Sequence, residues 1–244
     1  MPRLDSHLVE IGAFPSRARA QAAIRAGLVS IGGNVIDKPA TKVSPGDDIK
    51  VAGDIHPYVS RGGVKLEAAL ARFGFDPAGA TCLDLGASTG GFSEVLLLGG
   101  AGLVYAVDVG RGQLHPSIRD HERVVNLEAT HADQLSRDLI IDAIDFLVVD
   151  VSFISLKRAL PPALALCAPG ARLVALVKPQ FEVGRAGLGK GGIVHQTIEN
   201  TLGVAEGMSQ WLTDCGWVPC GFFESPIKGG DGNTEFLLGA VKSA

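Results

Sequence analysis

The sequence predicts an α/β protein in which a parallel, doubly wound sheet follows a small α+β domain. Three observations carry this. From about residue 57 onward, short apolar strands alternate with helical stretches, which is the pattern of a parallel sheet wound on both faces. The first 56 residues read differently, as two short helices and a small sheet. A glycine-rich turn, Gly86-Ala-Ser-Thr-Gly-Gly91, joins the first strand of the larger part to its helix. At 244 residues, 46% apolar and 20% charged, the chain can bury a sizeable core without disulfides or metal and is not disordered.

In the first part, Leu4, Leu8, Val9 and Ile11 fall at helical spacing and Gly12 ends that helix. Ser16 is a candidate N-cap for a second helix, Arg17–Ala26, with Gly27 just past its end. Val29-Ser-Ile31-Gly-Gly-Asn-Val35 reads as two strand pieces around a turn, and Gly46-Asp-Asp-Ile-Lys-Val51 as a turn and closing strand. The expected boundaries are a domain over 1–56, a linker over 57–64 and a second domain over 65–244.

In the second part, Leu66–Phe73 reads as an amphipathic helix. The strands are Thr81–Leu85, Leu103–Val107 ending at Asp108, Phe146–Val149 ending at Asp150, Leu173–Val177 ending at Lys178, and Glu235–Leu238. Phe92–Leu98 opens the helix after the glycine turn. In such sheets a ligand sits beyond the carboxyl ends of the strands. Asp84, Asp108, Asp150 and Lys178 all lie at or just inside those ends, and so many charges together are costly to bury without a ligand. The loop spacing, Gly86-x-x-x-Gly90-Gly91 after Asp84, departs from the G-x-G-x-x-G of dinucleotide folds.

Charge and cysteine usage exclude several classes. The net charge is −4, from 22 basic and 26 acidic residues, so the chain is not a globally basic nucleic-acid binder. The first 56 residues carry 7 Lys/Arg against 6 Asp/Glu, the remainder 15 against 20. Cys82, Cys167, Cys215 and Cys220 form no CxxC pair and no zinc spacing with histidine. They are expected to be reduced, mostly in the core, in a cytoplasmic protein that binds no metal. The longest uncharged stretches, Val95–Val107 and Ala159–Ala171, run 13 residues each, too short to span a bilayer. No signal peptide is expected at the amino end.

Two stretches carry resemblances. Arg3-Leu4-Asp5, Ser16-Arg17, Ala20, Ile24, Gly27-Leu-Val29, Gly32-Gly33-Asn34, Pro39 and Gly46-Asp47-Asp48-Ile49 resemble the alpha-L RNA-binding domain. That module is shared by a small-subunit ribosomal protein, pseudouridine synthases and tyrosyl-tRNA synthetase. The resemblance implies that Arg3, Arg17, Arg19, Arg25, Lys38 and Lys42 include phosphate-contacting cations. Taken by themselves, six such cations in 56 residues are equally a solvated surface. The glycine loop resembles the S-adenosylmethionine site of Rossmann-like methyltransferases. That implies cofactor contacts from Asp84, Gly86, Ser88, Gly90, Gly91 and Phe92, from Asp108 toward ribose hydroxyls, and from Asp133 toward adenine.

Lys65, Asp150, Lys178 and Glu235 together resemble the Lys-Asp-Lys-Glu tetrad of FtsJ-like ribose 2′-O-methyltransferases. The whole chain looks like the TlyA (haemolysin A) family. Ser60-Arg-Gly-Gly-Val-Lys65, Asp84–Phe92, Asp150-Val-Ser-Phe-Ile-Ser155, Lys178-Pro-Gln-Phe-Glu182 and Gly189-Lys-Gly-Gly-Ile-Val194 carry that likeness. It implies methylation of cytidine 2′-hydroxyls in ribosomal RNA. The early Arg3-Leu-Asp and the stop six residues after Leu238 resemble the shorter form, which acts on the large subunit. Arg61 and the glycine-rich segment with Arg185 and Lys190 are further candidates for RNA contact; as residues alone, that segment reads equally as a flexible surface turn.

The chemistry asks for these residue types. A ribose hydroxyl is a weak nucleophile and a sulfonium methyl is already activated, so positioning and proton removal remain. Lysine acts as a base only where desolvation or a neighbouring cation favours its neutral form, and two lysines in one pocket would supply that. Lys178 is expected to be the base or the hydroxyl-orienting group, with Lys65 beside it as the cation and with Asp150 and Glu235 holding the amines and the hydroxyl in line with the methyl. The expected partner is ribosomal RNA or a ribosomal subunit, with no membrane, and the chain is expected to act as a monomer. A non-catalytic ribosome-assembly factor and a membrane-lytic protein are the competing classes; the intact tetrad argues against the first and the absence of a long apolar segment against the second.

Overall fold

In the computed structural model the described residues are all except 15–16, 26, 53–55, 184–197, 230–231 and 244. The contacts divide the chain into two compact units, Met1–Pro57 and Tyr58–Ala244.

The first unit contains α1 (Leu4–Glu10), α2 (Arg17–Arg25), β1 (Val29–Ile31), β2 (Asn34–Val35) and β3 (Ile49–Val51). The strands form an antiparallel sheet in the order β2-β1-β3. Gly32 and Gly33, both at positive φ, make the tight β1–β2 turn. Helices this short are not stable alone. They hold because Leu4, Leu8, Ala20, Ala23, Ile24, Val29 and Val43 close one small core. Ile11, expected on the apolar face, falls just past α1 and is exposed. The candidate cap Ser16 lies outside the described residues.

The second unit opens with α3 (Gly62–Phe73), which begins inside the 57–64 stretch and carries Lys65 in its first turn. There follow β4 (Thr81–Leu85), α4 (Gly91–Leu98), β5 (Leu103–Asp108), α5 (Pro116–Arg119), β6 (Val124–Glu128) and a 3-10 turn at Ala132–Gln134. The chain continues through β7 (Ile144–Val149), α6 (Leu156–Leu166), β8 (Cys167–Val177), α7 (Pro179–Glu182), α8 (Ile198–Asp214), β9 (Trp217–Glu224) and β10 (Phe236–Lys242). One seven-stranded sheet runs β6-β5-β4-β7-β8-β10-β9. Its central strands are apolar on both faces because both faces are covered. Leu83, Leu85, Leu147 and Val149 pack with α6 and α8, whereas Cys82, Phe146 and Val148 pack with α3 and α4.

Two expectations need correction. The last strand is not parallel: β10 pairs antiparallel with both β8 and β9. Residues 225–235 are all that join β9 to β10, and a parallel return needs a crossover of a dozen or more residues. The consequence for the site is direct. Phe236 stands opposite Val177, so an antiparallel strand brings its beginning to the edge where the parallel strands end. The cysteines are free, but only Cys82 and Cys167 are buried; Cys215 and Cys220 are exposed.

Candidate active site

The switch in strand order lies at β4, which has β5 on one side and β7 on the other. The chain leaves β4 through Gly86 at φ +90°. A Cβ there would lie 2.5 Å from the Asp150 carbonyl oxygen, so only glycine lets the two strand ends come this close. Gly86 and Ala87 both donate their N–H to Val107, at 2.8 and 3.0 Å. Asp108 accepts from Ser88 N at 2.8 Å and from Gly110 N at 2.7 Å, one bond to each carboxylate oxygen. It therefore braces the loop, and each oxygen keeps a lone pair for a ligand hydroxyl.

Two cavities open above these strand ends. One of about 650 Å³ is lined by Gly86, Ser88, Asp108, Gln113, His131, Asp133, Asp150, Ser152 and Phe153, among others. The other, about 260 Å³, is lined by Arg61, Lys65, Gly91, Phe92 and Lys178, among others. Gly86, Ser88, Asp150 and Ser152 border both. The large cavity therefore meets the small one at the ends of β4 and β7.

The four tetrad candidates form two ion pairs. Lys65 Nζ donates to Glu235 Oε2 at 2.6 Å, both side chains buried. Lys178 Nζ lies 2.6 Å from Asp150 Oδ1 and donates to Ser152 Oγ at 2.7 Å. The Lys178–Asp150 contact has ion-pair distance but not hydrogen-bond angles, which leaves that carboxylate oxygen with no hydrogen-bond partner among the described residues. Each lysine thus has one of the two expected carboxylates beside its amine, Glu235 on Lys65 and Asp150 on Lys178. The pairing was out of reach of sequence spacing: Lys65 and Glu235 are 170 residues apart.

Asp84 also needs correction. It lines neither cavity. It is wholly buried behind the loop, where Ser93 Oγ in α4 donates to its Oδ2 at 2.6 Å and its Oδ1 has no partner among the described residues. Burial pushes its pKa up from 3.8 to about 7, helped by the charges of Asp150 and Asp108 and opposed by the Ser93 bonds. Between those values the folded state holds a proton that the unfolded chain has released. Asp84 thus makes stability fall as pH rises from about 4 to 7, and no further above that. Asp84→Asn keeps an acceptor for Ser93 and has no charge to bury. Urea unfolding of variant and wild type from pH 4 to 8 should show the variant gaining relative stability up to about pH 7, by as much as ~1.4 kcal/mol per pH unit. A difference independent of pH would mean the carboxylate is ionised throughout.

Glu128 moves the other way. Burial raises its pKa, but the N–H groups of Leu114 and Gln113 outweigh that, so the net direction is down. Its carboxylate accepts from Gln113 N at 2.6 Å and Leu114 N at 3.1 Å. It shapes the wall beside Asp108.

In the first unit, Asp5 is fully buried and accepts from Arg3 Nε at 3.0 Å, Arg3 Nη2 at 2.9 Å, Arg17 Nη2 at 3.1 Å and Gln21 Nε2 at 2.7 Å. The Arg3 guanidinium foremost holds the Asp5 carboxyl well below the usual carboxylate range. Arg3 and Arg17 remain 42% and 55% exposed, so one buried carboxylate presents two fixed guanidiniums to solvent. Arg3 also pairs with Lys42 across a β-bridge, and Arg25, Lys38 and Lys42 are exposed. The Arg19 side chain lies outside the described residues, as do Arg185, Lys190 and the Gly189–Val194 stretch.

Sequence reasoning missed Phe153 as a site residue, although it quoted the stretch that contains it. Phe153 sits at φ +65° and 91% exposed at the rim of the large cavity, its ring 5.2 Å from that of Phe181. Composition carries no signal for such a backbone. Gln113 and His131 were missed as well; both are ordinary polar loop residues until β5 and β6 bring their loops together.

Residues 58–242 match the FtsJ-like methyltransferase family and residues 2–49 the S4 domain. The protein of Mycobacterium tuberculosis named 16S/23S rRNA (cytidine-2′-O)-methyltransferase TlyA is 44% identical over 237 residues, covering 97% of this chain and 88% of that one. The chain belongs to the TlyA family. Another TlyA, from Campylobacter jejuni and named 23S rRNA (cytidine-2′-O)-methyltransferase, is 34% identical over 76% of this chain and 72% of its own. A solved candidate hemolysin from Streptococcus thermophilus aligns with TM-score 0.76 and 41% identity, over 99% of this chain and 88% of that one. The tetrad positions thus lie within the span that this chain shares with the Mycobacterium tuberculosis protein.

Proposed function

We propose that the chain transfers a methyl group from S-adenosylmethionine to the 2′-hydroxyl of a cytidine in ribosomal RNA, in the cytoplasm and as a monomer. The observation that carries this reading is that Lys178, in the small cavity, meets Asp150 and Ser152 where that cavity borders the large one. Large-subunit RNA is the substrate to expect, because 23S is common to the names of both TlyA relatives.

The residues of the large cavity fit the cofactor. Asp108 offers acceptors for ribose hydroxyls and Asp133 an exposed carboxylate for an adenine amine, and Gly86 lines the same cavity where only glycine lets the ends of β4 and β7 come together. Bound there, S-adenosylmethionine supplies an activated methyl group. The protein's part is to bring the 2′-oxygen into line and to take its proton. Lys178 lines the small cavity with its amine fixed by the border residues Asp150 and Ser152; it orients the hydroxyl as the ammonium and takes the proton only in its neutral form, after releasing one of its own. Lys65 lines the same small cavity, held by the buried Glu235 behind it. The exposed Phe153 ring offers a stacking face for a base splayed out of the RNA. No metal has a role in this reaction.

Mass spectrometry of nucleosides from cells with and without the gene tests the reading. Loss of 2′-O-methylcytidine from ribosomal RNA is expected. Unchanged methylation with retained RNA binding would favour a non-catalytic assembly factor, and lysis of vesicles by the pure protein a membrane-lytic one. Among the described residues no helix is long and apolar enough to cross a membrane. The first unit should supply RNA affinity through its fixed guanidiniums. Removing Met1–Pro57 should leave cofactor binding intact in calorimetry, weaken rRNA binding about tenfold or more, and flatten its salt dependence. Unchanged RNA affinity would make those cations surface charge.

A further inference from the structure

We infer that Glu182 is a positioning residue for methyl transfer, acting through the loop that carries Asp150, Ser152 and Phe153; the inference rests on the function proposed above. That loop joins β7 to α6 and is gripped at both ends by one short piece of chain, Lys178 to Glu182. At its start, Lys178 Nζ meets Asp150 Oδ1 at 2.6 Å and donates to Ser152 Oγ at 2.7 Å. At its end, Ser155 Oγ donates to Glu182 Oε2 at 2.9 Å and Leu156 N donates to Glu182 Oε1 at 2.7 Å. Ser155 is the N-cap of α6 and Leu156 its first residue, so the N–H that Glu182 takes is one the helix cannot satisfy internally. A carboxylate is also the favoured charge at that terminus. Between the two grips, the Phe153 ring packs on Phe181 of the same short piece, 5.2 Å between centroids.

The backbone between the grips explains why both are needed. Phe153 adopts φ +65°, a conformation that a bulky residue keeps only where its surroundings impose it. Its ring is 91% exposed, so packing alone does not impose it. Glu182 borders neither cavity. It can therefore act on the reaction only by holding the loop. Without it Ser155 and Leu156 are released, Phe153 is free to relax to negative φ, and Ser152 turns from Lys178 with it.

The test uses the full chain, with kinetics of methyl transfer to rRNA and amide hydrogen exchange of residues 151–156 as separate readouts. Glu182→Ala should lower kcat roughly 10²-fold with little change in KM for RNA, the loss that misplacement of about 1 Å produces, and should speed exchange in that segment. Glu182→Gln, which keeps an acceptor for Leu156 and a polar partner for Ser155, should recover most of both. With Phe153→Ala already present, Glu182→Ala should add much less than it does alone. If Glu182→Ala does not fold, Ser155→Ala removes one of the two bonds and should shift both readouts the same way by less. Wild-type kcat or unchanged exchange in Glu182→Ala, or a Glu182→Gln enzyme as slow as Glu182→Ala, would overturn the inference. A wild type that methylates no rRNA would instead sink the proposed function, and exchange would still decide whether Glu182 holds the loop.

Discussion

Lys178→Ala should abolish methyl transfer while leaving cofactor and RNA binding close to normal. A group that takes a proton in the transition state contributes to kcat more than to ground-state binding. Loss of a general base slows a reaction by about 10²–10⁴-fold, and the loss here belongs near the upper end, because Lys178 also fixes Asp150 and Ser152. The variant should still fold. Asp150, the partner left behind, is 22% exposed and can be hydrated. Lys65→Ala is a poorer probe for that reason: Glu235 is only 4% exposed, and stranding its carboxylate destabilises by about 3–5 kcal/mol. Lys178→Arg should not rescue, since a guanidinium does not deprotonate near neutral pH and its planar fork points differently. Single-turnover rates with calorimetry of both ligands check this. Near-normal turnover in Lys178→Arg would make Lys178 an electrostatic residue and send the proton elsewhere.

Gly86→Ala should be nearly as damaging, by a different route. The added Cβ would meet the Asp150 carbonyl at 2.5 Å for oxygen and 2.8 Å for carbon, and both are backbone atoms that cannot swing aside. The strand ends would have to part, and both cavities have their border there. The φ of +90° adds about 1–2 kcal/mol of its own. Gly112→Ala is the matched control, at φ +64° with nothing within 4 Å of the added atom. It should lose only the conformational part. Methyl transfer should thus slow by about 10²-fold or more in Gly86→Ala, the loss of rate that misplacement of about 1 Å produces, and change little in Gly112→Ala. Equal losses in the two variants would mean that φ strain, not the approach of β4 to β7, is what glycine serves.

Much of this site was legible before folding. The parallel strands were readable because runs such as Cys82–Leu85 and Phe146–Val149 are buried on both faces and so carry no polar alternation. Asp150 and Lys178 were placed at the working edge because each follows such a run. Glu235 was assigned by resemblance; its place at that edge depends on the antiparallel direction of β10, which the alternation of strand and helix does not reveal. The pairing of the tetrad into Lys65–Glu235 and Lys178–Asp150, rather than the reverse, depends on contacts between distant segments that spacing along the chain does not supply. Asp84 was misplaced because a strand-end aspartate reads the same whether it points into a cavity or into the core. The left-handed backbone of Phe153 and the double grip of Glu182 arise only when the ends of β7 and β8 lie side by side.

The measurement closest to the central claim is transfer of isotope-labelled methyl from S-adenosylmethionine to ribosomal RNA by the purified chain, with nucleoside analysis of the product. Label is expected in 2′-O-methylcytidine of large-subunit RNA with wild-type protein, and none with Lys178→Ala. Label on a base, or no transfer to RNA at all by wild-type protein that binds the cofactor, would contradict it.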